Sequence, residues 1–492
     1  MVANIEQELL RTQPEQEGIA SSALLRFVET LERQTHELHS FVLLRHGHII
    51  AEGWWAPYQR EHAHMMFSVS KSFTSSAVGL AVSEGRFSID DRVLSFFPEE
   101  TPAEGSDFLA TMSVRHLLTM TTGHADDTWP YQLERSDGNW INAFLKVPVR
   151  YAPGTHFLYN TGASYMLAAI VQRTTGMKLI DYLQPRLFEP LGIQDATWQE
   201  SPQGIAVGGY GLSIKTEDLA RFGQLYLQKG RWGEHQILPE AWVEAATSAQ
   251  VANGNVADPS DSTQGYGYQF WRCRYGAYQA SGVFGQGCIV MPAQDAVLAF
   301  TAGIDVFESQ QLWDLVWSEL LPVMGLEVPA ENPVFQEALG KKLSSLTLAL
   351  VYGQRVSPIA PHVSGRIYGV DANTLKIETI FLNFTESGCM VGFTTPYREE
   401  TFPCGFGRWQ QGQTTLFKGS WLSDDPTPVV TSGAWTTEDS FTMVVRLYET
   451  PFFYTLVYHF IEDEMLLEIK VNATMESPKP LLLTAHPERS II

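Results

Sequence analysis

The stretch Phe67-Ser68-Val69-Ser70-Lys71-Ser72-Phe73-Thr74 decides how the rest of the chain is read. A serine and a lysine three residues apart share one face of a helical turn. The residues that follow (Phe73, Ala77, Val78, Leu80, Ala81, Val82) are apolar or small almost all round, so the pattern predicts a buried helix. Ser68 then lies in its first turn, near the positive end of the dipole. Lys71 is held where an ammonium is costly to keep charged, and its pKa falls. Such an amine can take the serine's proton, and the activated serine attacks acyl carbonyls. Ser-x-x-Lys alone equally describes a helix cap with an exposed lysine one turn on. The apolar run favours the buried pair, and no other serine in the chain has a lysine three residues later.

Outward from that stretch, 492 residues are too many for one ordinary core and indicate two or three domains. Apolar residues at 44% and aromatics at 12% are enough for well-packed globular units. Lys and Arg number 33 against 55 Asp and Glu, a net charge of −22. Such a surface repels nucleic acid and anionic membranes, which excludes both as principal partners. The four cysteines (Cys273, Cys288, Cys389, Cys404) are scattered with no C-x-x-C pair, as in a reduced cytosolic protein. Met1 to Pro14 carries no apolar segment of the secretory kind, and no apolar run is long enough for a bilayer. A cytoplasmic location is therefore expected.

Before the central stretch, residues 20–37 read as an amphipathic helix, and Phe41–Leu44 with Ile49–Ala51 as a hairpin turning at His46-Gly47-His48. The H-x-H pairs His46/His48 and His62/His64 lack a third ligand at helical spacing, so no metal is expected. After it, residues 124–158 hold Trp129, Tyr131, Trp140, Pro148 and Pro153, the composition of a long structured loop that covers the fold or walls a substrate. Tyr159-Asn160-Thr161-Gly162 opens a strong helix ending at Gly176. Residues 266–270, 278–280, 287–291 and 296–301 have the chemistry of antiparallel strands. Helix, strands, helices, strands and helix together predict an α+β unit, an antiparallel sheet flanked by helices, over 1–325. Residues 326–363 hold several prolines around one helix and read as a connector. From Ser364 onward, period-two alternation such as Lys376–Phe384 and Phe441–Leu447 predicts a separate all-β domain, barrel or sandwich, over 364–492. Its Trp409, Trp421 and Trp435 read as core or edge aromatics.

These segments combine. Ser68-Val69-Ser70-Lys71, Gly85–Asp91, Arg115–Gly123, Pro153–Asn160, Phe188–Ile193 and Gly211-Leu212-Ser213 with Glu217–Ala220 resemble, in order, the serine hydrolases of the class C β-lactamase, penicillin-binding protein and esterase superfamily. The similarity covers about residues 14–325 and implies a β-lactamase-like fold with a helical lobe. It also implies roles. Ser68 is the acylated nucleophile, Lys71 its proton partner, and Tyr159 a second proton carrier whose pKa a neighbouring ammonium can lower. The oxyanion hole is expected from the backbone N–H groups of Ser68 and of Val283, in the segment Ala280–Gln286, with Ser281, Gly282, Gln286 and Asn160 beside the substrate.

Two departures from the family pattern stand out. Its Tyr-x-Asn places the amide two residues after the tyrosine; here Asn160 follows directly and Thr161 takes the expected position. Its third motif has a cation ahead of a glycine, and here Ala280-Ser281-Gly282 has none, leaving Arg272 or Arg274 as substitutes. Without a cation to pair a substrate carboxylate, carboxylic esters or small amides are the expected small-molecule substrates, with no cofactor. The alternatives are a β-lactamase or D,D-peptidase-like enzyme, and a non-catalytic ligand-binding or sensor module on a hydrolase scaffold.

Overall fold

The computed structural model describes residues 8–488 except 35–36, 103–105, 256, 259, 307, 326–329, 418–424 and 476–478. They fall into two compact units. The first takes the chain up to Gly53, then Arg60–Ala302 and Glu308–Ser345; the second takes Trp54–Gln59, a short piece from Gly303, and the chain from Leu346 onward. Nearly all of the Ser68 stretch's neighbours in sequence belong to the first.

In that unit the strands run in the order His48–Trp54, Leu38–Arg45, Ala296–Ala302, Gln286–Met291, Tyr278–Gly282, Trp271–Arg272. From Leu38–Arg45 to the far edge the pairing is antiparallel, with Val42 opposite Ala299, Cys288 opposite Ala299 and Ala280 opposite Cys288. The three central strands are buried along their whole length, which is why they read as continuous apolar runs. The helix Thr216–Leu227 covers the sheet closely at Gly223, where a side chain would meet Cys288 Sγ at 2.4 Å and Val297 at 2.5 Å.

The Ser68 segment begins as a 3₁₀ turn, Phe67–Val69, and runs on as the helix Ser70–Ser83. Its polar side chains would be costly in so dry a place unless bonded. Ser72 donates to Gln269 O at 2.7 Å, Thr74 to Gly208 O at 2.8 Å and Ser76 to Ser72 O at 2.9 Å. Phe73 stacks on Phe222 at 3.8 Å. Burial of such a ring stabilises by about 1.5–3 kcal/mol.

Two expectations from sequence are corrected here. Residues 266–270 form no strand. Gln269 is left-handed (φ 64°), which breaks the extended run, and the edge strand is Trp271–Arg272 instead. The Gln269 amide donates to Leu117 O and Leu118 O and accepts from Ser164, so it ties three segments together. The 124–158 segment is also more regular than a loop, holding helices Trp129–Leu133 and Trp140–Lys146 whose tryptophans meet edge to face at 4.8 Å.

The second unit is a closed nine-stranded β-barrel. Antiparallel pairing runs from Arg398–Phe406 through Gly388–Thr395, Thr379–Phe384, Ile367–Val370, Leu481–Pro487, Glu464–Val471, Phe453–Ile461 and Ser440–Arg446 to Thr427–Trp435. A parallel contact closes the ring, Gly405 opposite Ser432 and Phe406 opposite Gly433. Closure removes exposed edges and settles barrel against sandwich. Trp435, Phe441, Leu456 and Tyr458 fill its core. Trp409 lies 5.4 Å under the Arg446 guanidinium, and Trp421 falls outside the described residues.

All four cysteines are buried and free. Among the described residues no helix is long and apolar enough to cross a membrane, and no three His, Cys, Asp or Glu side chains converge on a metal position. The H-x-H pairs are divided between other tasks: His48 Nδ1 lies 2.8 Å from Glu17, and His64 bonds His39 at 3.1 Å.

Candidate active site

Ser68 stays partly exposed while its neighbours on either side are buried, because the 3₁₀ turn lifts it out of the helix start. The turn is held by strained backbone. Phe67 and Phe284 both adopt positive φ (47° and 66°), unusual for bulky residues, and their rings meet edge to face at 5.3 Å. Ser70 Oγ fixes the turn further, donating to Phe67 O at 2.6 Å and accepting from Leu212 N at 3.1 Å.

Lys71 is 1% exposed. Its Nζ lies 3.0 Å from Ser68 Oγ and 2.8 Å from Gly209 O, with Thr161 Oγ1 at 3.5 Å. Burial lowers its pKa from 10.5 to about 7, and the Asp127 carboxylate holds it up against a further fall. The carbonyl it uses belongs to Gly208-Gly209, where the chain passes so close that a side chain on Gly209 would strike Thr161 at 2.7 Å.

Tyr159 comes from the far side of the cleft, at the entry to the helix Thr161–Thr175. Lys71 Nζ stands 4.8 Å from its ring centre. Burial raises the phenol's pKa well above 10, against a smaller opposing influence of the Ser68 and Trp271 side chains. The expectation that the lysine would lower it is not met: desolvation dominates, the nearby Asp127 carboxylate adds to it, and at neutral pH the group is a phenol.

Gly282, at the end of the strand Tyr278–Gly282, faces the backbone of Met66 and Ser68. A side chain there would sit 2.4 Å from Met66 O and 3.2 Å from Ser68 N, so only glycine lets the strand approach. Ser281 and Val283 flank it, both partly exposed.

Two residues expected beside the substrate are buried and bonded to the protein. Gln286 is fully buried, and its Nε2 donates to Phe284 O at 3.0 Å and Ala302 O at 2.9 Å, so it braces the turn rather than the cleft. Asn160 caps its helix. Its Oδ1 accepts from Thr128 Oγ1 at 2.7 Å and Ala163 N at 3.3 Å, and Thr161 is the residue that meets Lys71. The arginines do not replace the missing cation either. Arg272 donates to Thr247 O and Gly276 O, and Arg274 pairs with Asp261 and Asp314.

Sequence reading missed Asp127, Gly209 and Trp271. Asp127 Oδ1 accepts from Thr161 N at 2.9 Å and Trp129 N at 3.0 Å. It lies 32 residues before Tyr159, with nothing local to mark it. The run Gly208-Gly209-Tyr210-Gly211 was the one available signal, since clustered glycines permit close backbone approach.

A helix-flanked antiparallel sheet with a buried amine on an accessible serine defines a hydrolase of the serine β-lactamase fold. The chain belongs to the beta-lactamase family, whose model matches residues 27–318. It is similar to the 6-aminohexanoate-dimer hydrolase of Paenarthrobacter ureafaciens, 25% identical over 305 residues, 58% of this chain and 78% of the relative. It is also similar to Esterase EstB of Burkholderia gladioli, 28% identical over 193 residues, 34% of this chain and 48% of that one. Among solved structures, EstCE1, described as a hydrolase with promiscuous acyltransferase activity, superposes with a TM-score of 0.51 at 18% identity, over 62% of this chain and 99% of its own. That last likeness speaks for the fold.

Proposed function

We propose that the protein hydrolyses carboxylic esters, or small amides, through an acyl-enzyme on Ser68. The observation that carries this is Lys71: a buried amine 3.0 Å from the serine oxygen, with a pKa near 7. At neutral pH much of it is uncharged and able to accept the Ser68 proton. The serine oxygen bonds to the acyl carbon, and the negative charge on the carbonyl oxygen meets the N–H groups of Ser68 and Val283, the second reached because Gly282 lies flat against the first. Tyr159, a phenol, gives its proton to the departing alcohol or amine, and the proton held on Lys71 makes good the loss. Water then enters by the reverse route and releases the acid.

An uncharged acyl group suits this cleft. Ala280 and Ser281 offer no cation, and Arg272 and Arg274 are engaged with carbonyls and carboxylates of their own. The similarity to Esterase EstB points the same way. The test is covalent labelling with a fluorophosphonate, together with turnover of p-nitrophenyl butyrate and nitrocefin. Labelling and ester turnover, both abolished in Ser68→Ala, are expected. Folded protein that takes no label and turns over none of these substrates is instead a binding module, and nitrocefin turnover above ester turnover makes the enzyme a β-lactamase.

A further inference from the structure

The helix Ser70–Ser83 holds a strap of chain against one face through three polar side chains. Ser70 Oγ accepts from Leu212 N at 3.1 Å, Lys71 Nζ donates to Gly209 O at 2.8 Å, and Thr74 Oγ1 donates to Gly208 O at 2.8 Å. Thr74 lies one turn beyond Ser70 and three residues beyond Lys71, and it is fully buried. The strap is wedged as well as bonded. Gly208 is left-handed (φ 70°), and a side chain there would strike Ser164 O at 2.6 Å and Ala168 at 2.9 Å. Gly209 N turns back to Val207 O at 2.7 Å, which makes a three-residue turn centred on Gly208, a conformation rare enough to need holding.

A neutral primary amine has two N–H groups and one lone pair. A carbonyl oxygen only accepts, so one Lys71 N–H is committed to Gly209. Thr161 Oγ1, at 3.5 Å, is the acceptor for the second, which leaves the lone pair to Ser68 Oγ at 3.0 Å. The amine takes the Ser68 proton only when its lone pair points there. We propose that Thr74 is a positioning residue for this proton transfer: its hydroxyl pins the Gly208 carbonyl, so the next carbonyl along stays where it aims the Lys71 lone pair at Ser68. Thr74 takes no part in the chemistry itself and acts through the two glycines.

The proposal rests on the Ser68 acyl-enzyme reading. In the step it serves, the bond from Ser68 Oγ to the acyl carbon forms as the Oγ–H bond breaks. The proton moves onto the Lys71 lone pair, and the carbonyl π electrons move onto the acyl oxygen; no other reactant is needed. Gly209 O then accepts from an ammonium, a stronger bond than it makes to the amine. The strap supports both protonation states, and the charged one more. The charged and titratable groups around Lys71 are the Asp127 carboxylate and the Tyr159 phenol, both on other segments, and a substitution at Thr74 alters neither.

The experiment follows kcat/KM for p-nitrophenyl butyrate against pH in wild type, Thr74→Val and Thr74→Ser, with circular dichroism as the check on folding. Valine keeps the shape and removes the donor; serine keeps the donor. In Thr74→Val the plateau is expected to fall about 10-fold, a fraction of the range for general-base catalysis. Its acid limb is expected to move down by about half a pH unit, because the ammonium loses part of a bond that favours it. Thr74→Ser is expected to restore both. Should Thr74→Val not fold, Thr74→Cys, a weak donor of similar size, makes the same comparison. A folded variant with the wild-type plateau and limb overturns the proposal. So does a loss of activity that leaves the limb unmoved, or one that serine does not repair, since either marks a merely structural residue. Those outcomes leave Ser68 as nucleophile. If the wild-type protein takes no fluorophosphonate label and cleaves no ester, the acyl-enzyme reading itself has failed.

Discussion

Replacing Lys71 by methionine is expected to stabilise the protein at neutral pH and destabilise it in alkali. The folded pKa is about 7 against 10.5 for an exposed lysine. Between those values the unfolded chain binds a proton that the folded chain does not, so wild-type stability rises with pH across the window. The penalty is full below pH 7. At ~1.4 kcal/mol per unit it amounts to about 5 kcal/mol there and about 2 kcal/mol at pH 9. Methionine removes that penalty, but it also removes the bonds to Ser68 Oγ and Gly209 O. Leaving the Gly209 carbonyl without its donor costs about 1–3 kcal/mol. The net is a gain of about 2 kcal/mol at pH 7 that falls to nothing near pH 9 and reverses above it. Urea unfolding followed by fluorescence at pH 6, 7, 8, 9 and 10 measures this, read on the transition that differs between variant and wild type. A difference that stays constant over that range, of either sign, refutes the reasoning, because Lys71 would then be as well solvated folded as unfolded. The variant should also be inactive, so stability and activity move in opposite directions.

Asp127→Asn removes the charge that holds the Lys71 ammonium up. The acid limb of kcat/KM for p-nitrophenyl butyrate, expected near pH 7 in wild type, should move down by about half a unit to one unit. An unmoved limb would separate Asp127 from the proton chemistry. Gly282→Ala puts a methyl group 3.2 Å from Ser68 N and 2.4 Å from Met66 O. It should cut kcat/KM about 100-fold in protein whose circular dichroism is unchanged, and full activity would remove this backbone from the oxyanion hole. Asn160→Ala loses the helix cap and the bond to Thr128. It should destabilise by about 1–2 kcal/mol yet still take a fluorophosphonate on Ser68 when folded; loss of labelling in folded protein would put Asn160 in the substrate site after all.

The Ser68–Lys71 pair was legible in the sequence because its spacing is local. Ser68 and Lys71 are one helical turn apart, and the apolar residues after them dictate burial whatever packs against the helix. The three central strands of the sheet were legible for a related reason, since strands covered on both faces must be apolar along their length. Features that depended on side-chain direction were not legible in the same way. Gln286 and Asn160 were expected beside the substrate, but the Gln286 amide bonds buried backbone carbonyls and the Asn160 oxygen caps its helix, partners that sequence does not reveal. The stretch 266–270 has strand-like composition, and a single left-handed Gln269 overrides it through bonds to residues some 150 positions earlier.

Residue identity and short-range spacing thus determined that this chain carries a serine paired with a buried lysine within an α+β unit, followed by a separate β domain. Tertiary structure alone decided that the second unit closes as a barrel, because closure depends on Gly405 and Phe406 meeting Ser432 and Gly433. It alone decided that Tyr159 remains a phenol, that Thr161 rather than Asn160 meets Lys71, and that the Asp127 carboxylate acts on the Lys71 amine. Desolvation, electrostatic fields and hydrogen-bond direction act through space over a few ångströms, and the groups that supply them here come from segments scattered along the chain.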